Sequence, residues 1–203
     1  LMTKDRSKLQ SIPNNLQGCI RKNPEALFAK RIIVCEGATE VGICRSFNNY
    51  RQSIGETNLS CLGIRLADGG GDSMIGYASD FKSIGYDVCL LCDSDVDKIN
   101  KEKETLLAKE IAIYDCEEGN SIEKQLFNDL PRGTIRKMLE YSISLDGLES
   151  KSIFDSVNSK LSSKLQFTEN WYETDNDEIR KALGIVFQKN GWYKRIDHGE
   201  AIG

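Results

Sequence analysis

The stretch Arg31-Ile32-Ile33-Val34-Cys35-Glu36-Gly37-Ala38-Thr39-Glu40 decides the fold. A short apolar run, β-branched at its centre, stops on an acid and a glycine. Ile43, Phe47 and Tyr50 then follow at near-helical spacing. A strand handing over to a helix through a tight turn is the first half of a βαβ unit. The pattern recurs outward from there. Leu59-Ser60-Cys61-Leu62-Gly63-Ile64 predicts a second strand, running into the turn Asp68-Gly69-Gly70-Gly71-Asp72, with a helix placing Met74, Ala78 and Phe81 on one face. Asp87–Cys92 predicts a third strand, ending at Asp93; a charged helix from about Val96 to Lys109 leads to a fourth, Ile111–Tyr114. Short apolar runs alternating with helical patterns predict an α/β domain with a mostly parallel, four-stranded sheet. In such sheets ligands bind beyond the C-terminal ends of the strands.

From Ser121 the periodicity becomes helical. Ser121 reads as an N-cap before Ile122, Leu126 and Phe127, and Pro131 opens a helix carrying Ile135, Met138 and Leu139. Phe154, Val157, Leu161 and Leu165 form an apolar stripe, and Asp175-x-x-Glu178 resembles a capping box. The expected organisation is a basic lead-in at 1–30, an α/β core at 31–128, a helical insertion at 129–190 and a C-terminal segment at 191–203.

Composition narrows the chemistry. The chain has 203 residues, 39% of them hydrophobic, enough to bury a substantial core. No apolar run approaches the roughly 20 residues of a membrane span, and no signal segment is seen at the start. The seven cysteines lie mostly in apolar runs and read as reduced core residues of a cytoplasmic protein. A single histidine, His198, argues against histidine-based metal sites and Ser-His-Asp chemistry, and itself reads as a surface residue. There is no GxxxxGK[ST] phosphate loop and no GxGxxG. Leu1-Met2 fits a segment cut from a longer protein.

The acids at the strand ends carry the functional signal. Glu36 follows the first strand, with Glu40 one helical turn on. Asp93-Ser94-Asp95-Val96-Asp97 follows the third, and Glu123 lies beyond the fourth. Glu36-Gly37 alone reads as a helix-start carboxylate, while the Asp93/Asp95/Asp97 triplet alone reads equally as that or as a metal site. Acids after several strands of one sheet point instead to hard divalent cations, which take oxygen ligands and offset the repulsion between clustered carboxylates. The Asp93/Asp95/Asp97 triplet lacks the glycine and distal glutamate of an EF-hand. Gly69-Gly70-Gly71 reads as a turn, and Trp192-Tyr193 as packing residues.

Glu36-Gly37 after the first strand, together with Asp93-x-Asp95 after the third, resembles the Toprim domain. Val34-Cys35-Glu36-Gly37-Ala38-Thr39-Glu40 most resembles its OLD (overcoming lysogenization defect) version, Gabija-like and retron-associated relatives included. Ala26–Arg31 is similar to that family's lead-in, and Gly191-Trp192-Tyr193-Lys194 to its late aromatic-lysine motif. The resemblance implies a Rossmann-like Toprim fold and a DNA endonuclease using two divalent ions, Mg²⁺ or Mn²⁺, with Ca²⁺ also able to fill the site. It implies Glu36, Glu40, Asp93 and Asp95 as catalytic ligands, Ser121 and Glu123 as a second-ion element, and Lys194 acting on phosphate charge. Asp97 extends the string to DxDxD, a pattern closer to topoisomerases and primases, and is a further candidate ligand. The family's ABC-type ATPase is implied as a partner in cis or in trans, as are homo-oligomerisation of the full-length protein and a role in phage defence or DNA repair. Primase-like nucleotidyl transfer, topoisomerase-type strand passage and a non-catalytic module docking an ATPase remain alternatives.

The net charge of −4 does not exclude DNA. Residues 1–33 hold seven basic and two acidic side chains, residues 34–123 eight and seventeen, and residues 124–203 twelve of each. The acidic excess thus coincides with the strand-end acids. Two divalent ions would bring the formal charge to about zero.

Overall fold

The computed structural model describes residues 13–95, 97–117, 119–145, 149–162, 164–171 and 176–203. The chain forms two compact units. One runs up to Gly119 and resumes at Lys194–Gly203; the other is Asn120–Tyr193.

The first unit is an α/β domain with a Rossmann-like parallel sheet. Its strands are β1 (Arg31–Cys35), β2 (Ile64–Asp68), β3 (Asp87–Cys92) and β4 (Ala112–Asp115), in the order β2-β1-β3-β4. All three pairings are parallel. The helices are α1 (Asn14–Lys22), α2 (Ala38–Ser53), α3 (Met74–Ser83), α4 (Asp97–Ala108) and, after the second unit, α9 (Ile196–Ile202). One sheet face is sealed by Ile32, Val34, Val88 and Leu90 against Leu16 of α1, Met74, Ala78 and Phe81 of α3 and Leu106 of α4. Burying such side chains contributes about 1.5–3 kcal/mol each. Cys89 and Cys92 are spaced as C-x-x-C, but strand alternation turns them to opposite faces. The cysteines are all free thiols, and Cys19, Cys35 and Cys92 are buried.

The second strand lies later than the apolar run predicts. Leu59–Gly63 is turn rather than strand: Asn58 Oδ1 accepts from Ser60 N, and Gly63 takes a φ of +74°. Pairing begins at Ile64 and includes Arg65, which an edge strand tolerates because only half of it is covered. Local turn chemistry outweighed hydrophobicity here.

The second unit holds α5 (Ile122–Asp129), α6 (Arg132–Ser144), α7 (Ser150–Asn158) and α8 (Asp177–Asn190). Ser121 caps α5 as expected, accepting from Lys124 N. The 154–165 stripe does not form one helix. The α7 helix stops at Asn158, whose amide brackets the Phe167 backbone, donating to its carbonyl at 3.0 Å and accepting from its N–H at 2.7 Å. Asn176 caps α8 through Ile179 N, and Glu178 instead accepts from Ser162 N; Asp175 lies outside the described residues, as does Val96. Trp192 and Tyr193 pack on Phe187, and the Tyr193 hydroxyl meets Ser142 Oγ at 2.8 Å.

The crossing of α2 and α9 depends on glycine. A Cβ at Gly42 would lie 2.3 Å from Ile196 O and 2.6 Å from Glu200 N, and one at Gly199 would lie 2.5 Å from Thr39 O. These obstacles are backbone atoms, so the helices would have to separate. Gly42→Ala is expected to cost about 1–3 kcal/mol in urea unfolding. Gly76→Ala, in open space on α3, should instead add about 0.5–1 kcal/mol.

Candidate metal centre

The register of β1 on β3 builds the site. Cys35 pairs with Leu91, so the two strands deliver Glu36 and Asp93 to the same sheet edge. Glu36 N donates to Leu91 O at 2.9 Å, and Asp93 N returns a bond to Glu36 Oε2, also at 2.9 Å. From the β2 side, Gly71 N donates to Glu36 O at 2.8 Å and Gly69 N to Cys35 O at 2.8 Å. The glycine run is what lets this loop approach. A Cβ at Gly69 would lie 2.6 Å from Cys35 O, while Gly70 and Gly71 take φ of +62° and +69°. The amides of Gly69, Gly70 and Gly71 all have protein acceptors, Gly70 N bonding Asp68 Oδ1, so the run is a turn.

Glu40 sits one turn into α2, 5% exposed, accepting from Gly37 N at 2.8 Å. That is one half of a capping box; glycine has no side chain for the other half. Around Glu36 the charges oppose one another. Burial, foremost, and the nearby Asp95 and Asp72 push its pKa up, while the Asp93 N–H and Lys194 pull it down. Asp93 thus bonds Glu36 directly, and Asp95 and Lys194 lie within electrostatic reach of it. Asp72 joins them, although the sequence reading passed over it. Its signal was the same one, an acid just past a strand's C-terminal end, hidden in a run that reads as a turn.

Ser121 and Glu123 belong to the helical unit. Ser121 is fully buried as the α5 cap, and Glu123 is 2% exposed in the first turn of that helix. Asp97 stands exposed in the first turn of α4, where a carboxylate also favours the helix dipole. Lys194 is exposed and opens the return of the chain to the sheet unit.

The donor chemistry of the sheet edge suits a hard cation. The thiols nearest the acids are pushed up to about 12, by burial first and then by carboxylates, chiefly Glu36 at Cys92 and Asp93 at Cys116. The carboxylates at this edge offer the hard oxygen donors that Mg²⁺ and Mn²⁺ take. Among the described residues no three His, Cys, Asp or Glu side chains converge closely enough to enclose an ion by themselves.

Residues 27–95 match the family described as "Overcoming lysogenization defect protein-like, TOPRIM domain". That segment resembles an OLD-like Toprim domain. It contains Glu36, Glu40, Asp93 and Asp95, and ends at the last of them. A solved structure, the C-terminal region of the OLD protein of Xanthomonas campestris pv. campestris, is similar at 15% identity and a TM-score of 0.45. The similarity covers 88% of this chain and 96% of that one. No curated protein matches. Among the described residues, no helix is long and apolar enough to cross a membrane.

Glu36 yields a stability prediction. Its folded pKa is raised, so its ionisation opposes folding; the penalty is absent below the unfolded-state pKa and grows as pH rises through the folded one. Metal-free Glu36→Gln, which keeps an acceptor for Asp93 N, should melt at a higher temperature than wild type at neutral pH. The difference should disappear in acid. Equal melting at neutral pH would contradict the electrostatic picture of the site.

Proposed function

We propose that this Toprim domain is the nuclease part of a divalent-metal-dependent DNA endonuclease. The observation that carries the reading is the hydrogen bond from Asp93 N to the Glu36 carboxylate, with Asp95, Asp72 and Lys194 close enough to shift that carboxylate's pKa. Such a cluster is costly to hold together unless a cation neutralises it.

Glu36, Asp93 and Asp95 would hold Mg²⁺ or Mn²⁺, with Glu40, one helical turn on from Glu36, as a further candidate ligand. When bound, a pair of such ions supplies charge neutralisation at the phosphate and an activated water. The chain's own contribution is positioning. Glu36 is held by main-chain bonds from β3 and from the glycine loop, so its carboxylate loses little freedom on engaging a ligand. Lys194, an exposed point charge within electrostatic reach of Glu36, suits a non-bridging phosphate oxygen and the charge developing there. Ser121, Glu123 and Asp97 are proposed as further ligands on the family resemblance.

The proposal extends to partners. An ABC-type ATPase, in the same polypeptide or separate, would supply the nucleotide-dependent step for which this sequence has no phosphate loop. Oligomerisation of the whole protein and a role in phage defence or DNA repair belong to the same reading.

Nicking of supercoiled plasmid in Mg²⁺ or Mn²⁺ tests it. EDTA should abolish nicking, and Asp93→Ala should lower the rate by at least about 100-fold while leaving the circular-dichroism spectrum intact. Mn²⁺ should raise the melting temperature of wild type but not of Asp93→Ala. Full cleavage by Asp93→Ala would sink the assignment. Lys194→Ala should slow cleavage while retaining the Mn²⁺-induced rise in melting temperature.

A further inference from the structure

A polar cavity of about 370 Å³ opens at the same edge of the sheet unit, lined by Ser94, Asn100, Lys103, Asp115 and Cys116. It adjoins the acids. Ser94 lies between Asp93 and Asp95, and the Cys116 thiol reaches Asp93 Oδ1 at 4.0 Å. Its walls are tied in place. Ser94, 3% exposed, donates through Oγ to Glu117 O; Asn100 Nδ2 donates to Ser94 O at 2.8 Å; Cys116 N donates to Cys92 O at 3.3 Å. A preformed, hydrogen-bonded cavity of this size falls in the roughly 300–1,000 Å³ range of ligand sites.

Charge decides the class of occupant. Lys103 Nζ is ion-paired with Asp115 Oδ2, so the pair sums to zero. Asp93 and Asp95 stand next to it, and a phosphate entering here would meet net negative charge. A neutral group bearing donors and acceptors would not. Beyond their mutual contact, Lys103 retains N–H donors and Asp115 a carboxylate oxygen, side by side, and Asn100 retains its amide oxygen. Adjacent donor and acceptor groups are the complement of a nucleobase edge. Guanine matches best, because it alone carries two donors, N1–H and N2–H₂, beside an acceptor, O6.

We propose that this cavity receives a guanine flanking the scissile phosphate, with O6 accepting from Lys103 and N1–H and N2–H donating to the acceptor oxygens of Asp115 and Asn100. Its place next to the scissile phosphate rests on the nuclease reading above; the preference for guanine does not. A base enters such a cavity only when unstacked, so the substrate would be unpaired at that nucleotide.

The test has two arms. In the first, metal-free protein is titrated with deoxyguanosine, deoxyadenosine, deoxycytidine, thymidine and inorganic phosphate, followed by NMR chemical shifts, which read weak binding. Deoxyguanosine should bind about tenfold tighter than the other nucleosides. Asp115→Asn and Lys103→Met should each lose that preference, with thermal melts confirming that both variants fold. Equal binding of all four nucleosides, no nucleoside binding, or tighter binding of inorganic phosphate than of deoxyguanosine would overturn the base pocket. In the second arm, the ends produced by Mn²⁺-dependent cleavage of a random single-stranded pool are sequenced. Wild type should leave guanine enriched beside the cut, and Asp115→Asn should cut without that enrichment. Cleavage with no base enrichment in wild type would also overturn it. Deoxyguanosine preference in the first arm with no cleavage in the second would support the pocket and count against the nuclease reading instead.

Discussion

Everything at the candidate site depends on β1 lying parallel to β3 in a register that pairs Cys35 with Leu91. β3 runs one residue past Leu91, to Cys92, so the residues that follow the two strands, Glu36 and Asp93, leave the same sheet edge within hydrogen-bonding reach. The Asp93 N–H then donates to the Glu36 carboxylate and fixes one acid against the backbone of the other. A slip of one residue would turn the Ile32 and Val34 side chains out of the core and separate the acids together. Burial of the apolar face and assembly of the polar edge are therefore one constraint.

That constraint has a cost the molecule carries in its metal-free form. Glu36 is partly desolvated and faces two further carboxylates, Asp95 and Asp72, with only a backbone N–H and Lys194 to offset them. The glycine loop adds to the precision of this arrangement, because Gly69 and Gly71 bring their amides onto the main chain of Cys35 and Glu36. In the proposed reading, a cation would gain more from acids held this rigidly than from flexible ones. The neighbouring cavity repeats the theme: its lysine is braced by Asp115 before any ligand arrives.

Much of the arrangement was legible in the residues. β1 and β3 read as strands because continuous β-branched and apolar runs have no other stable use in a chain that alternates with helices, and Ser121 read as a cap because its hydroxyl suits a helix N-terminus. β2 did not read correctly, since the apolar Leu59–Ile64 run was spent on a turn set by Asn58 and Gly63. The 154–165 stripe misled for a similar reason: Asn158 offered the backbone a local partner that periodicity does not register. Asp72 escaped notice because its neighbours are glycines, which mark a turn whatever else the turn carries.

By itself, the sequence determined the α/β class, the strand-end position of Glu36, Asp93 and Asp95, and the match of residues 27–95 to the OLD-like Toprim family, because periodicity and short motifs are local properties of the chain. Only the tertiary structure decided which acids stand together, that Asp72 and Lys194 join them, that Asp97 is exposed on its helix, and that Lys103 and Asp115 face one cavity. Those relations join residues far apart in sequence. They are set by strand register and by the backbone contacts that Gly42 and Gly69 permit, and no local pattern encodes either.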